Sequence, residues 1–334
     1  MYEEFYGFSE KPFSLTSDPR YLYRSETHAS AFDLLQYAMR RREGFVVVTG
    51  DIGVGKTTLC RALLSRLEPR TLPVVVLNPF ISEEDLLRLI LQNLGLVSRE
   101  EVRRGRLAGV TKQELINALN DFLLSLQRID ASALLIVDEA QNLPLQVLEQ
   151  IRLLSNLETD KEKLLRIVLF GQPALRRVLR LPDLRQLDQR VSLRLELRPL
   201  TRDETAAYVS HRLAIAGGLC RVSFSLRALH RIHALTGGVP RLINLVCDRA
   251  LLAAFSTRAI RIEPDLIDQA AGALDLEAPV PLVPEWANRR VGALAAGAAA
   301  LAMAAAAFAY GFGYMQGADS VEPLDPPQVL RAPQ

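Results

Sequence analysis

The stretch Gly50-Asp-Ile-Gly-Val-Gly-Lys-Thr57 decides the fold class of this chain, because it fits the pattern G-x-x-x-x-G-K-[ST]. It follows the apolar run 45–49 and opens the amphipathic stretch 57–67, so it lies between a predicted buried strand and a predicted helix. Glycines let the backbone turn so tightly that consecutive N–H groups point at one place, and the start of a helix adds partial positive charge there. The stretch therefore predicts a phosphate-binding loop. A glycine-rich turn that binds nothing is disfavoured, because strand, spacing, lysine and helix all agree.

Several residues of this loop are candidates for contact with a nucleotide. The Lys56 ammonium would reach the β- and γ-phosphates of ATP, and the Thr57 hydroxyl would ligate Mg²⁺. The predicted nucleotide-binding residues of the loop are Gly50, Asp51, Ile52, Gly53, Val54, Gly55, Lys56, Thr57 and Thr58.

Two carboxylates at the end of another apolar run complete the predicted site. Residues 134–139 read Leu-Leu-Ile-Val-Asp-Glu, which is typical of a buried strand, and we expect this strand beside the strand of the phosphate loop. Asp138 would share the Mg²⁺ ion with Thr57, and Glu139 would orient or deprotonate the attacking water. Alone, such a run is equally a strand followed by a helix cap. Downstream of a phosphate loop it favours ATP hydrolysis with ATP and Mg²⁺ as cofactors.

Short apolar runs alternate with helical patterns along the chain, which predicts an α/β fold. The strand runs are 45–49, 74–78, 133–138, 165–171 and 192–197. We therefore expect a P-loop core over residues 31–200, with a parallel sheet and helices on both faces, and a helical domain over 201–275. Residues 1–30 are an aromatic N-terminal segment whose rings we expect to pack on the domain that follows. Residues 276–290 read as a proline-rich linker.

At these motifs the chain resembles the AAA+ ATPases, P-loop proteins with a helical lid after the sheet domain. The N-terminal string is more specific: Phe5-Tyr-Gly-Phe8, Lys11-Pro-Phe13, Asp18-Pro19, Tyr21-Leu-Tyr23 and His28. This string resembles the GspA/ExeA-type ATPases of general (type II) secretion and their relatives in pilus biogenesis and exosortase-linked export. The resemblance covers roughly residues 1–275. It extends to Asp138-Glu-Ala-Gln141, Gly171-Gln-Pro173 and Gly237-Gly-Val-Pro-Arg241.

The resemblance implies further roles, position by position. Gln172 occupies the place of a polar sensor of the γ-phosphate. Arg190 occupies the place of the arginine finger that acts on a neighbouring subunit's nucleotide, although a surface arginine in an arginine-rich stretch is the alternative. Arg241 matches the sensor of the lid, with a salt-bridged arginine at a helix start as the alternative. We expect adenine to rest near Phe13 and the lid.

Residues 291–315 form an uncharged segment that is long enough for one transmembrane helix. Arg289 and Arg290 precede this segment, and no Lys or Arg follows it until Arg331, so its N-terminal side is expected in the cytoplasm. A buried alanine-rich helix is the alternative. The N-terminus does not resemble a signal peptide. We therefore expect a single-pass protein of the inner membrane, with residues 316–334 as a short disordered tail outside, too short for the peptidoglycan-binding region of the fuller GspA pattern.

Charge and cysteines narrow the function further. The formal net charge is only +2, so nothing global marks a nucleic-acid binder, and the three cysteines show no metal-ligand spacing. The favoured function is a membrane-anchored ATPase that drives or regulates assembly of an envelope secretion, export or pilus apparatus. Its expected partners are further copies of itself in a ring, hexameric or nucleotide-dependent, and a membrane protein of that apparatus. The alternatives are a DNA-transaction ATPase of the transposition-helper type and a non-hydrolysing nucleotide switch that scaffolds membrane partners.

Overall fold

Five parallel strands form one sheet, and their carboxyl ends all lie at one edge. The computed structural model describes residues 2–98, 100–101, 109–160, 162–217 and 221–276. The strands are β1 (Phe45–Gly50), β2 (Thr71–Val76), β3 (Ser132–Val137), β4 (Leu165–Gly171) and β5 (Leu193–Leu197). Their order across the sheet is β2-β3-β4-β1-β5. The expected parallel sheet is confirmed.

The order of the strands differs from the expectation at one point. We expected β3 beside β1, but β4 lies between them, with Ile167 paired to Phe45 on one side and to Leu135 on the other. The chain passes from β1 to the sheet edge at β2 and then returns inward through β3 to β4, which lies next to β1. Both β3 and β4 are apolar on both faces, so their composition suits any interior position and does not encode which neighbour each takes.

Helices cover both faces of the sheet, as predicted. They are α1 (Tyr2–Tyr6), α2 (Glu26–Arg40), α3 (Lys56–Leu64), α4 (Glu83–Asn93), α5 (Lys112–Arg128), α6 (Leu145–Leu154), α7 (Ala174–Leu179) and α8 (Arg185–Asp188). Helices α2 and α3 bury Leu35, Leu59 and their neighbours against one face. Helices α4 to α8 bury a larger apolar cluster against the other. The two clusters hold the sheet rigid beneath its carboxyl edge.

The described residues of 201–276 form a second, mostly helical region, which we call the lid. Its helices are α9 (Arg202–Ala216), α10 (Leu226–Thr236), α11 (Pro240–Ser256) and α12 (Pro264–Gly272), and the short strands β6 (Ser223–Phe224) and β7 (Arg261–Ile262) pair in parallel. Helix α9 starts with a capping box in which Thr201 and Glu204 satisfy each other's backbone N–H groups. The predicted helices of this region agree with these bounds to within one or two residues.

Most rings of the N-terminal segment pack on the lid, whereas we expected them to pack on the sheet domain that follows in sequence. The end of the segment also contacts the sheet domain, where Pro19–Tyr21 lies against α3. Tyr6, Phe8 and Phe13 are buried in the apolar cluster of the lid. The Tyr6 hydroxyl donates to the Ala259 carbonyl at 2.9 Å, and the rings of Phe13 and Phe224 meet edge to face at 6.2 Å. The lid helices alone leave an apolar face open, and the aromatic segment covers it.

The predicted transmembrane helix at 291–315 and the tail at 316–334 lie outside the described residues, as does nearly all of the predicted linker at 276–290. Among the helices that the structure describes, none has the length and apolar character needed to cross a bilayer.

Candidate nucleotide site

The phosphate loop joins β1 to α3, as its motif predicts. Lys56, the first residue of α3, is buried, and its ammonium donates to the carbonyl oxygens of Gly50 at 2.9 Å and Asp51 at 3.0 Å. Burial lowers the pKa of Lys56, and the negative charges of Glu139, Asp138 and Asp51 oppose that shift. A cation held by neutral carbonyls can exchange those partners for phosphate oxygens at little cost.

A carboxylate and a hydroxyl meet at the start of α3. The Thr57 hydroxyl donates to Asp138 Oδ2 at 2.8 Å, and Asp138 Oδ1 accepts the Glu139 N–H at 2.9 Å. Both are hard oxygen ligands, which Mg²⁺ prefers, and they come from two rigid elements. The donor set therefore fits the predicted Mg²⁺ ion, with Thr57 and Asp138 as the side chains that would hold it.

Glu139 is held by two amides, one of which we did not predict. Its Oε2 accepts from Gln141 Nε2 at 2.6 Å and from Gln172 Nε2 at 3.3 Å. Gln141 Oε1 in turn accepts the backbone N–H of Gln172 at 2.9 Å. Because β4 lies between β1 and β3, Gln172 follows the strand that separates the phosphate loop from the carboxylates. That position brings the predicted sensor to Glu139.

The cleft above the loop is bounded by the N-terminal segment and the lid. Of the predicted site residues, it is lined by Ile52, Gly53, Val54, Gly55, Lys56, Thr57, Thr58, Glu139 and Arg241. Residues 14–18 and the Tyr21 ring form its wall on one side. Phe13, which we expected near adenine, is buried in the lid cluster.

Arg212 fastens this wall to the lid and was not predicted. Its buried guanidinium donates to the carbonyl oxygens of Pro12 at 2.6 Å and Ser14 at 2.9 Å. It also lies 4.1 Å from the centre of the Tyr21 ring. The partners are about 200 residues apart in sequence, and no local pattern marks them.

The two predicted arginine contacts lie in different places. Arg241, at the start of α11, donates its backbone N–H to the Gly53 carbonyl at 3.2 Å, so the lid touches the phosphate loop. Arg190 is half-buried at the opposite edge of the sheet, where its guanidinium donates to the Ser155 carbonyl at 3.3 Å. It lies near Phe45, and the length of β1, about 16 Å, separates that end from Gly50. Within one chain the structure does not bring Arg190 to the phosphate loop.

Residues 39–179 match the sequence family described as the AAA domain. The chain carries an AAA domain. General secretion pathway protein A of Aeromonas hydrophila is 45% identical to this chain over 271 residues, which are 81% of this chain and 48% of that protein. The resemblance to GspA/ExeA-type ATPases is thereby confirmed. The chain spans about half the length of this relative.

Solved structures share the fold at low sequence identity. The ORC2 protein of Aeropyrum pernix has a TM-score of 0.59 at 19% identity, covering 80% of this chain and 72% of that one. Cdc6p of Pyrobaculum aerophilum has a TM-score of 0.58 at 21% identity, covering 78% and 70%. The RuvB motor of Thermotoga maritima has a TM-score of 0.51 at 20% identity, covering 76% and 71%. The P-loop fold of the AAA type, with its parallel sheet and helices, agrees with the prediction.

Proposed function

We propose that this chain hydrolyses ATP with Mg²⁺ as an AAA+ ATPase. The observation that carries the proposal is the meeting of three groups at one edge of the sheet. The Lys56 ammonium donates to two loop carbonyls, Asp138 accepts from the Thr57 hydroxyl, and Glu139 is held by two amides. These are the parts that phosphoryl transfer to water needs: a phosphate cradle, a metal site and a carboxylate that orients the nucleophile.

Each residue has one task in this mechanism. Lys56 leaves the carbonyls of Gly50 and Asp51 and binds phosphate oxygens. Thr57 and Asp138 would hold the Mg²⁺ ion, which would neutralise charge on the phosphates. Glu139 accepts a proton from the attacking water or fixes its direction, while Gln141 and Gln172 keep the carboxylate from rotating.

Arg190 fits a role between subunits. It lies at the sheet edge remote from its own phosphate loop, so only a neighbouring chain could use it as a finger. We propose a ring of copies, hexameric or nucleotide-dependent, in which Arg190 stabilises charge on the next subunit's nucleotide and Arg241 reports the nucleotide state to the lid. The expected result for R190A is normal ATP binding with about a hundredfold loss of turnover, partly restored by mixing with a Glu139→Gln chain that still supplies Arg190.

We propose the cellular task from the name of the relative and from the predicted membrane span. The relative's name and the uncharged segment 291–315 together support an ATPase of the inner membrane, anchored once, that drives or regulates assembly of a secretion, export or pilus apparatus. Alkaline extraction of membranes tests the anchor. The full chain is expected in the pellet and a chain ending at residue 276 in the supernatant, and equal partitioning would refute it.

Glu139→Gln tests the proposed activity directly. In purified full-length protein with MgATP, the variant should bind ATP with near-normal affinity and release phosphate at least a hundredfold more slowly than the wild type. Lys56→Ala is the control for binding, and it should lose both ATP binding and phosphate release. Wild-type protein that binds MgATP without releasing phosphate would make the chain a nucleotide switch. Hydrolysis that depends on DNA and falls steeply with salt would favour a DNA-transaction ATPase.

A further inference from the structure

A buried histidine lies against the phosphate loop, at the edge of the cleft. His28, in the first turn of α2, is 4% exposed, and its Nε2 lies 2.8 Å from the Val54 carbonyl oxygen. Its Nδ1 lies 2.7 Å from the Ser25 hydroxyl, and Ser25 is the N-cap of α2. Two fixed partners for a ring this deeply buried indicate a defined orientation.

The partners also fix the tautomer. A carbonyl oxygen only accepts, so Nε2 carries the proton and donates to Val54. The other ring nitrogen, Nδ1, then accepts from the Ser25 hydroxyl. Burial lowers the pKa of His28, which agrees with a neutral ring.

The bond to Val54 sets the direction of the next N–H group. In a trans peptide the C=O and the following N–H point in opposite directions. The Val54 carbonyl points at His28, so the Gly55 N–H points away from the ring; Gly55 lines the cleft, and His28 lines it as well. This N–H donates to no other group among the residues the structure describes. Gly55 has φ +107°, and a Cβ there would lie 3.3 Å from His28 Nε2, so a side chain at this position would press on the ring.

We propose that His28 is a positioning residue that aims the Gly55 N–H at a bound phosphate. The inference rests on the proposed nucleotide site and adds a residue to it. It also links that site to the lid, because Glu204 of α9 accepts the Glu26 N–H at 2.9 Å, at the start of the helix that carries His28. A merely structural histidine would stabilise the fold and leave the relative affinity for phosphates unchanged.

Two substitutions separate the two ring nitrogens. The amide nitrogen of H28Q falls where Nε2 lies and can still donate to Val54, whereas that of H28N falls where Nδ1 lies and cannot reach it. Calorimetric titration of the full chain with MgADP, MgATP and adenosine then measures phosphate binding without requiring turnover. We expect H28N to weaken MgATP and MgADP about tenfold and adenosine not at all, and H28Q to stay within about threefold of wild type throughout.

Several outcomes overturn the proposal. H28N that binds MgATP as wild type does refutes it, and so does H28N that weakens adenosine as much as MgATP, because that indicates general loosening of the site. Wild-type protein that binds no MgATP refutes the proposed function itself. Wild-type protein that binds MgATP without turnover leaves the His28 inference standing.

The tautomer gives a test that needs no folded H28N. In ¹⁵N-histidine-labelled wild type at pH 7.5, the ring resonance that disappears in H28Q should report a neutral ring protonated at Nε2. A ring protonated only at Nδ1 would leave the Val54 carbonyl without its donor and would refute the proposal.

Discussion

Gln141 offers the sharpest test of how this site holds its catalytic carboxylate. Its side chain makes two bonds of opposite sense: Nε2 donates to Glu139 and Oε1 accepts the Gln172 backbone N–H. Gln141→Leu removes both bonds. Gln141→Glu removes only the donor, because a carboxylate still accepts from Gln172. Comparing the two variants therefore separates the effect of orienting the Glu139 carboxylate from the effect of supporting the Gln172 backbone.

The size of the effect follows from these bonds. A hydrogen bond to a charged group contributes about 1.5–3 kcal/mol, which is roughly a 10- to 100-fold change in rate if it is lost in the transition state. Gln172 keeps its own bond to Glu139, at 3.3 Å, so the loss should stay below that of Glu139→Gln. Gln141→Leu also leaves the Gln172 N–H without its acceptor, at a cost of about 1–3 kcal/mol of stability. Gln141→Glu places a second negative charge beside Glu139 and lowers the rate by repulsion instead.

Steady-state phosphate release, MgATP titration and thermal unfolding of the two variants check this reasoning. We expect kcat to fall in both and the dissociation constant for MgATP to change less than threefold in both. The melting temperature should also fall in both, in Gln141→Leu because an N–H loses its acceptor and in Gln141→Glu because two carboxylates repel each other. Wild-type kcat in Gln141→Glu would refute the claim that the Gln141 amide orients Glu139. A loss of MgATP affinity that parallels the loss of rate would make Gln141 a binding residue.

Three further predictions concern the loop and its surroundings. Gly53→Ala should weaken MgATP binding more than tenfold, because φ is +81° and the new Cβ would lie 2.7 Å from the Arg241 Cβ. Gly95→Ala is the matched control, because φ is +80° there and no atom lies within 4 Å of the new Cβ. The control should cost only about 1 kcal/mol of stability and leave MgATP binding unchanged. The pKa of His28 in the folded protein is below its unfolded value of 6.5, so on acidification the unfolded state takes up the proton first. Urea titrations at pH 7.5 and 5.5 should therefore show that wild type loses more stability on acidification than H28Q does. Equal losses of stability would contradict this. Burial raises the pKa of Cys60 to about 12, so mass spectrometry after iodoacetamide treatment at pH 8 should find this thiol unlabelled in native protein and labelled in urea; fast native labelling would count against its burial.

The local parts of the site could be predicted because each is encoded in consecutive residues. The phosphate loop carries its strand, its glycines and its helix within about twenty residues, and the run that ends in Asp138 and Glu139 is equally self-contained. Resemblance then extended the prediction to Gln172, which the structure brings to Glu139. The roles of Arg190 and Arg241 remain predictions.

The parts that could not be predicted depend on contacts distant in sequence. The place of β4 between β1 and β3 is decided by crossovers, not by the composition of any strand. His28 meets Val54 across 26 residues, and its role depends on a peptide orientation that only coordinates give. Gln141 belongs to the motif Asp138-Glu-Ala-Gln141, but its role depends on the Gln172 backbone N–H, which follows another strand.

The N-terminal segment has a consequence for how the lid can move. Arg212 fastens Pro12 and Ser14 to α9, and eleven residues later Ser25 caps α2 on the sheet domain. The chain between these two points lines the cleft. The chain therefore connects the lid to the sheet domain here as well as at the residues that enter α9, and the Arg241–Gly53 and Glu26–Glu204 hydrogen bonds add contacts between them. A change in lid angle would therefore also move the cleft wall. A nucleotide bound in the cleft as proposed would contact both the phosphate loop and that wall. Its contacts would then differ between lid angles, and such a difference is what a ligand needs in order to shift a conformational equilibrium.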